Sequence, residues 1–179
     1  MTDATDDLAL PAALAEVAAV GFEWEYDEET DEARGCDFEP YDRFEDPAKT
    51  AWWFRLRTGD PDADGGEFRF FGSTGAGDYA GFWLARPGVP VTGQPVVLIG
   101  SEGDRGVIAR DLGDLLWLFA AGLGPFEAFE DPEAPGEPNE AFRAIAERHA
   151  PGRRSPAEIV AAARAEFPHF SDLIDAMCR

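Results

Sequence analysis

Side chains that can act as nucleophile, base or metal ligand are scarce in this sequence, carboxylates apart. It holds two histidines, His149 and His169, and two cysteines, Cys36 and Cys178. A zinc site wants three or four His or Cys ligands at characteristic spacings, and these four residues have no such spacing. The cysteines lie far apart and outside any CxxC pair, so two reduced thiols are expected. Ser73 and Ser101 lack the GxSxG frame of a nucleophile elbow. Spacing alone does not decide a Ser-His-Asp triad, whose members need not be adjacent. His149 follows Arg148 near an expected helix end, where a cation is favourable. The residues therefore point to no enzyme, no catalytic residue and no cofactor.

Two motifs come closer to a ligand site. Asp60-Pro61-Asp62-Ala63-Asp64-Gly65 matches the first half of a calcium loop, with carboxylates at alternate positions and glycine at the sixth. The twelfth position needs a bidentate Glu but holds Phe71, and Glu67 comes too early. A hairpin turn rich in turn-formers is the expected reading. In Gly72-Ser73-Thr74-Gly75-Ala76-Gly77-Asp78-Tyr79, the residues Gly75, Gly77 and Gly81 fit a relaxed dinucleotide spacing. A phosphate cradle needs a helix after the glycines, so that amide donors and the helix dipole face the anion. A strand-like aromatic run follows instead, and Asp78 brings a negative charge. A structural turn is expected.

Acidic residues dominate the rest. The 179 residues include 36 Asp and Glu against 15 Lys and Arg, a net charge of −21. Such a field repels nucleic-acid phosphates and anionic lipids, and it attracts a basic protein. Acids cluster at Asp27, Glu28, Glu29, Asp31 and Glu32, and again at Glu127, Glu130, Asp131 and Glu133. A solvated loop is the plain reading of each cluster; a landing surface for a basic partner, centred on exposed aromatics, is the functional one. Loops carry recognition more often than strands. The expected contact residues are therefore Glu28 and Glu29 with Asp31 in the first cluster, Asp60, Asp62 and Asp64 in the Asp-rich turn, and Asp78 in the Gly-rich turn.

These loops need a frame to position them. A hydrophobic fraction of 45%, with five Trp and 14 Phe, supports a folded core. Residues 8–20 read as a helix with Pro11 at its first position, stopped by Gly21. Phe22, Trp24 and Tyr26 alternate with Glu23 and Glu25, the period of a half-buried strand. An acidic loop with a possible short strand near Cys36 and Phe38 follows. Trp52–Arg57 and Glu67–Phe71 read as strands of a hairpin with a long loop. Further strands are expected at Tyr79–Ala85, Val96–Ile99 and Val107–Ala109, with turns between. Asp111 reads as the N-cap of a deeply buried helix through Leu112, Leu115, Leu116 and Phe119, stopped at Gly122 and Gly124. Residues 130–138 have linker composition, and helices are expected at 138–149, 156–167 and 171–177, capped by Ser155 and Ser171. The fold class is α+β: a mainly antiparallel sheet of about six strands packed against helices, with a C-terminal helical extension. The expected division is a domain at 1–129 and, at 130–179, an acidic linker with helices packed on that domain. Met1–Leu10 lacks the cationic start and apolar run of a secretory signal, and Leu115–Ala121 is too short to span a bilayer. A cytoplasmic location is expected.

From Phe70 to Phe126 the chain resembles the SUKH superfamily, which includes a yeast cell-wall synthesis regulator and many bacterial immunity proteins. Phe71-Gly72-Ser73-Thr74-Gly75-Ala76-Gly77-Asp78-Tyr79 is similar to that family's Gly-rich turn, with its acidic residue and strand. Pro95-Val96-Val97-Leu98-Ile99-Gly100-Ser101-Glu102 resembles its apolar strand and turn. Val107-Ile108-Ala109-Arg110-Asp111-Leu112, leading to Leu115-Leu116-Trp117-Leu118, resembles its last strand and sheet-packing helix. Leu10-Pro11 is similar to an early Leu-Pro, although Gly21-Phe22 stands where Asn-Gly is often found. The helices from Pro138 onward lie outside the family core. The resemblance implies a protein-binding α+β domain, and in bacteria an immunity protein that neutralises a polymorphic toxin such as a basic nuclease. The other readings are a regulatory scaffold for an endogenous partner, and a small carboxylate-dependent metal-binding protein or enzyme.

Overall fold

The computed structural model describes residues 8–178. The acidic start, residues 1–7, and Arg179 lie outside the described residues. In chain order the elements are α1 (Ala12–Val20), β1 (Trp24–Asp27), β2 (Glu32–Gly35), β3 (Glu39–Pro40), α2 (Pro47–Thr58), β4 (Phe68–Ser73), β5 (Tyr79–Trp83), β6 (Val96–Ile99) and β7 (Arg105–Ala109). Five helices complete the chain: α3 (Leu112–Ala120), α4 (Pro125–Glu130), α5 (Glu140–His149), α6 (Pro156–Glu166) and α7 (Phe170–Met177). The fold is α+β. None of the described helices is long and apolar enough to cross a membrane.

Strands β3 to β7 form one antiparallel sheet in sequential order. Strand β6 is buried at all four positions, as its unbroken Val-Val-Leu-Ile run requires. Its side chains alternate between two cores. Val96 and Leu98 enter one with Leu115, Phe119 and Phe142, while Val97 and Ile99 enter the other with Phe54, Phe68 and Phe170. The sheet is therefore covered on both faces. Helices α1, α3 and α5 lie on one side, and α2 and α7 on the other. Helix α6 contributes to both, with Ile159 and Val160 in the first core and Ala163 in the second. The helices after residue 130 thus help to close both cores.

Close packing sets one glycine. A Cβ on Gly72 would stand 2.3 Å from the Phe38 ring, so Phe38 lies directly over the β4 backbone. A register shift between Phe70 and Gly72 adds one residue to β4 at this point, which bends and twists a strand locally.

Four sequence expectations are corrected. Trp52–Arg57 is helical, so the long-loop hairpin with Glu67–Phe71 does not form. Asp46 caps this helix by accepting the Ala48 N–H at 2.8 Å, Pro47 occupies its first turn, and Gly59 ends it at φ 70°. Helix α1 starts later than expected, at Ala12, and Pro11 takes the N-cap position. Ser171 lies inside α7, where His169 takes the cap position; its hydroxyl accepts from Arg105 Nε at 3.1 Å. The fourth is the strand through Trp24, which is exposed along its whole length and stands outside the main sheet. The capping box at Ser155 and Glu158, the Asp111 cap and the Gly122 stop form as their sequences specify.

Candidate functional site

Strands β1 and β2 make a separate two-stranded hairpin. Its turn is built locally. Asp27 Oδ1 accepts the N–H groups of Glu29 at 2.9 Å and Thr30 at 3.3 Å, and Asp31 N–H closes back to the Asp27 carbonyl at 2.9 Å. Asp31 has φ 57°, the one positive φ among described non-glycine residues, a conformation that Asp tolerates. Phe22 roots the hairpin in the core, with ring centroids 4.8 Å from Phe142, 5.0 Å from Phe119 and 5.3 Å from Phe38. At the other end of the root, Cys36 N–H donates to the Glu23 carbonyl at 3.0 Å.

The register decides what the hairpin shows. Trp24 pairs with Gly35 and Tyr26 with Ala33, so the two large rings face small residues across the ladder. The rings stack on each other, 6.3 Å apart at an interplanar angle of 11°. Trp24 is 48% exposed and Tyr26 49%. The tyrosine hydroxyl donates to Asp31 Oδ1, which fixes the ring and raises the phenol pKa. The backbone donors of Glu29 and Thr30 hold the Asp27 carboxyl below its ordinary range. Toward the turn, Glu25, Asp27, Glu28, Glu29 and Glu32 line an open cleft of about 650 Å³ together with Tyr26 and Arg34, and Trp24 lies outside it. An aromatic platform set among carboxylates suits a cationic side chain, by stacking and charge together.

The expected contact residues separate into three places. Glu28, Glu29 and Asp31 are exposed together on this hairpin. Asp60, Asp62 and Asp64 lie in the loop joining α2 to β4, which corrects the expected hairpin turn. Here Asp60 accepts the Asp62 N–H at 3.0 Å and Asp64 accepts the Gly66 N–H at 2.8 Å. These are local turns of the kind Asp favours. Asp78 is buried and spent on structure: it accepts from the Thr74 hydroxyl at 2.8 Å and the Ser101 N–H at 2.9 Å. The Gly-rich segment is a turn between two strands, and its Gly75 N–H donates to Asp37 at 3.1 Å.

The groups with chemical potential are scattered. Among the described residues, no three His, Cys, Asp or Glu are gathered to hold a metal ion. Both cysteines are free. Burial, with the nearby Glu127 charge, pushes the Cys36 thiol up to about 11, so it is a poor nucleophile near neutrality. His149 pairs with Glu16 at 2.8 Å across α1 and α5. A cleft of about 700 Å³ opens where α1, α3 and α5 meet; of its polar lining groups, Asp114 pairs with Arg154, Asp111 accepts the Asp114 N–H and His149 pairs with Glu16.

Sequence reasoning named the acids of the hairpin but assigned Trp24 and Tyr26 to a half-buried strand. The available signal was their setting, an alternation broken after only a few residues by a dense acidic turn. Compared with protein-family models, with curated proteins and with solved structures, this chain finds no match.

Proposed function

We propose that this chain is a protein-binding domain that docks a basic partner on the β1–β2 hairpin. The observation that carries this reading is the exposed Trp24–Tyr26 stack on a hairpin whose turn and other strand positions are rich in exposed carboxylates. Binding hot spots concentrate in aromatic anchors, and a surrounding field of opposite charge speeds encounter. A net charge of −21 supplies that field. The resemblance to the SUKH superfamily narrows the proposal to an immunity protein that neutralises a polymorphic toxin, a basic nuclease being the best match in charge. The chain itself then has no catalytic role.

The test is binding of the purified chain to basic toxin domains encoded beside its gene. A complex of one to one, with nuclease activity suppressed, is the expected result. Trp24→Ser/Tyr26→Ser should weaken it at least about 30-fold, the scale of a hot-spot loss of about 2 kcal/mol. Wild-type affinity in that variant would remove the hairpin from the interface.

A further inference from the structure

The β1–β2 hairpin has an unpaired edge, and its register shows which groups stand on it. Pairs in an antiparallel ladder alternate between those that exchange backbone hydrogen bonds and those that do not. The Cys36 N–H donates to the Glu23 carbonyl at 3.0 Å, which makes Glu23 and Cys36 a bonded pair. Along the same register, Glu25 with Arg34 and Asp27 with Glu32 are bonded pairs, while Trp24 with Gly35 and Tyr26 with Ala33 are not. The N–H and C=O groups of Trp24 and Tyr26 therefore point away from β2, along the outer edge of β1. Among the described residues no strand pairs with that edge, and all of β1 is exposed. The β2 edge is less open, because Ala33 and Gly35 share a cleft of about 380 Å³ with Pro135, Gly136 and Glu137. The strand period sends the two rings to one face of the hairpin and Glu25 and Asp27 to the other, where Glu32 joins them from across the ladder. Among the described residues no cation forms an ion pair with these three acids, Arg34 opposite Glu25 included.

We propose that a basic protein partner adds an extended segment to the outer edge of β1, hydrogen-bonding to the backbone groups of Trp24 and Tyr26. This rests on the hairpin as the docking site and specifies the partner's chemistry there. A strand laid on an edge bonds through its main chain and sends its own side chains alternately to the two faces. On one face they meet the Trp24 and Tyr26 rings, and on the other the carboxylates of Glu25 and Asp27. The segment that fits both faces alternates large apolar residues with Lys or Arg. Charge excludes a second copy of this chain from the same place. Laying β1 on β1 sets Glu25 and Asp27 of each copy beside those of the other, and like charges side by side destabilise a ladder. Charged side chains on an edge strand are a common guard against such self-pairing. The same charges that repel a copy attract a basic strand, so they select the occupant of an edge whose backbone groups pair without regard to sequence.

Amide hydrogen exchange followed by NMR tests it, with two capped peptides of equal composition, Arg-Val-Arg-Val-Arg-Val-Arg and Arg-Arg-Val-Val-Val-Arg-Arg. In the chain alone, the Trp24 and Tyr26 amides should exchange freely. The alternating peptide should bind on the order of 100 µM and, at saturation, slow exchange at both amides at least about tenfold, with Ala33 and Gly35 unchanged. The block peptide carries the same charge and should bind at least about tenfold more weakly. Tyr26→Pro lacks the ring and the edge donor, whereas Tyr26→Thr lacks the ring alone. The proline variant should bind the alternating peptide at least about tenfold more weakly than the threonine variant. Equal binding of the two peptides, or binding that leaves both amides exchanging freely, overturns strand addition. No binding of the alternating peptide at about 1 mM overturns it as well. Protection of these amides in the chain alone, growing with its own concentration, assigns the edge to a second copy and also overturns it. A basic toxin domain that binds Tyr26→Pro and Tyr26→Thr equally, yet loses affinity for Trp24→Ser/Tyr26→Ser, overturns strand addition while the hairpin stands as the docking site, so the two failures are read apart.

Discussion

The Asp78 carboxylate accepts the Ser101 backbone N–H at 2.9 Å, linking the β4–β5 turn to the β6–β7 turn. Its second oxygen takes the Thr74 hydroxyl at 2.8 Å. One buried acid therefore fastens two loops that are 23 positions apart in sequence. Asp78→Ala leaves the Ser101 donor without its acceptor and should cost about 1–3 kcal/mol. Urea unfolding measures this as a lowered midpoint at unchanged slope. Binding of a basic partner at the hairpin should be unaffected at temperatures where the variant is folded.

The hairpin behaves oppositely. Glu28 and Glu29 are exposed, so replacing both with Ser should change stability by less than about 0.5 kcal/mol. Association with a basic partner should slow and lose part of its dependence on salt, because rim charges act mainly on the encounter rate. Stopped-flow mixing at low and high salt reads both effects. An unchanged rate at low salt would exclude these two residues from steering.

Acid should weaken the junction of α1 with α5. Hydrogen bonds from His149 and Arg148 hold the Glu16 carboxyl below the ordinary carboxylate range. A depressed carboxyl stabilises the fold above its unfolded pKa, and the contribution is lost as pH falls through the lower, folded value. Melting temperature should therefore decline below about pH 4.5, and Glu16→Gln should remove that part of the decline. Thermal melts of the two proteins from about pH 6 to pH 3 provide the comparison.

The two thiols should react very differently. Cys178 is exposed, whereas Cys36 is buried and its pKa stands at about 11. A thiol reagent at about pH 8 should label Cys178 promptly and Cys36 only after denaturant is added. Fast labelling of both in the native protein would contradict the packing of Cys36 against Gly122 and Gly124.

Asp46→Ala removes the side-chain cap of α2 and should destabilise the protein by about 1 kcal/mol, read from the denaturant midpoint. Asp46→Asn, which can still accept the Ala48 N–H, should recover most of it.

That cap shows how the sequence misleads. Trp52, Trp53 and Phe54 look like a strand because aromatic residues favour pleated, half-buried surfaces. Yet Asp46-Pro47 and Gly59 are the punctuation of a helix, and the buried set Thr50, Ala51, Phe54 and Thr58 follows the helical period. Helix α4 went unread for a different reason: six residues, Pro125–Glu130, are too few to establish a period.

Local chemistry was legible before any fold was known. The unbroken apolar run of β6, the caps at Asp111 and Ser155, the stop at Gly122 and the net charge each follow from side chains acting on their own neighbours. Burial is a different kind of property. Asp78 and Glu28 are both acids in turns, but only the approach of the Ser101 loop turns Asp78 into a buried clasp. Trp24 and Phe22 belong to one alternating segment, but α3 and α5 close over Phe22 while β2 pairs with β1 apart from the main sheet and leaves Trp24 open. Which surface can be touched depends on contacts between residues distant in sequence, and those exist only once the chain has packed.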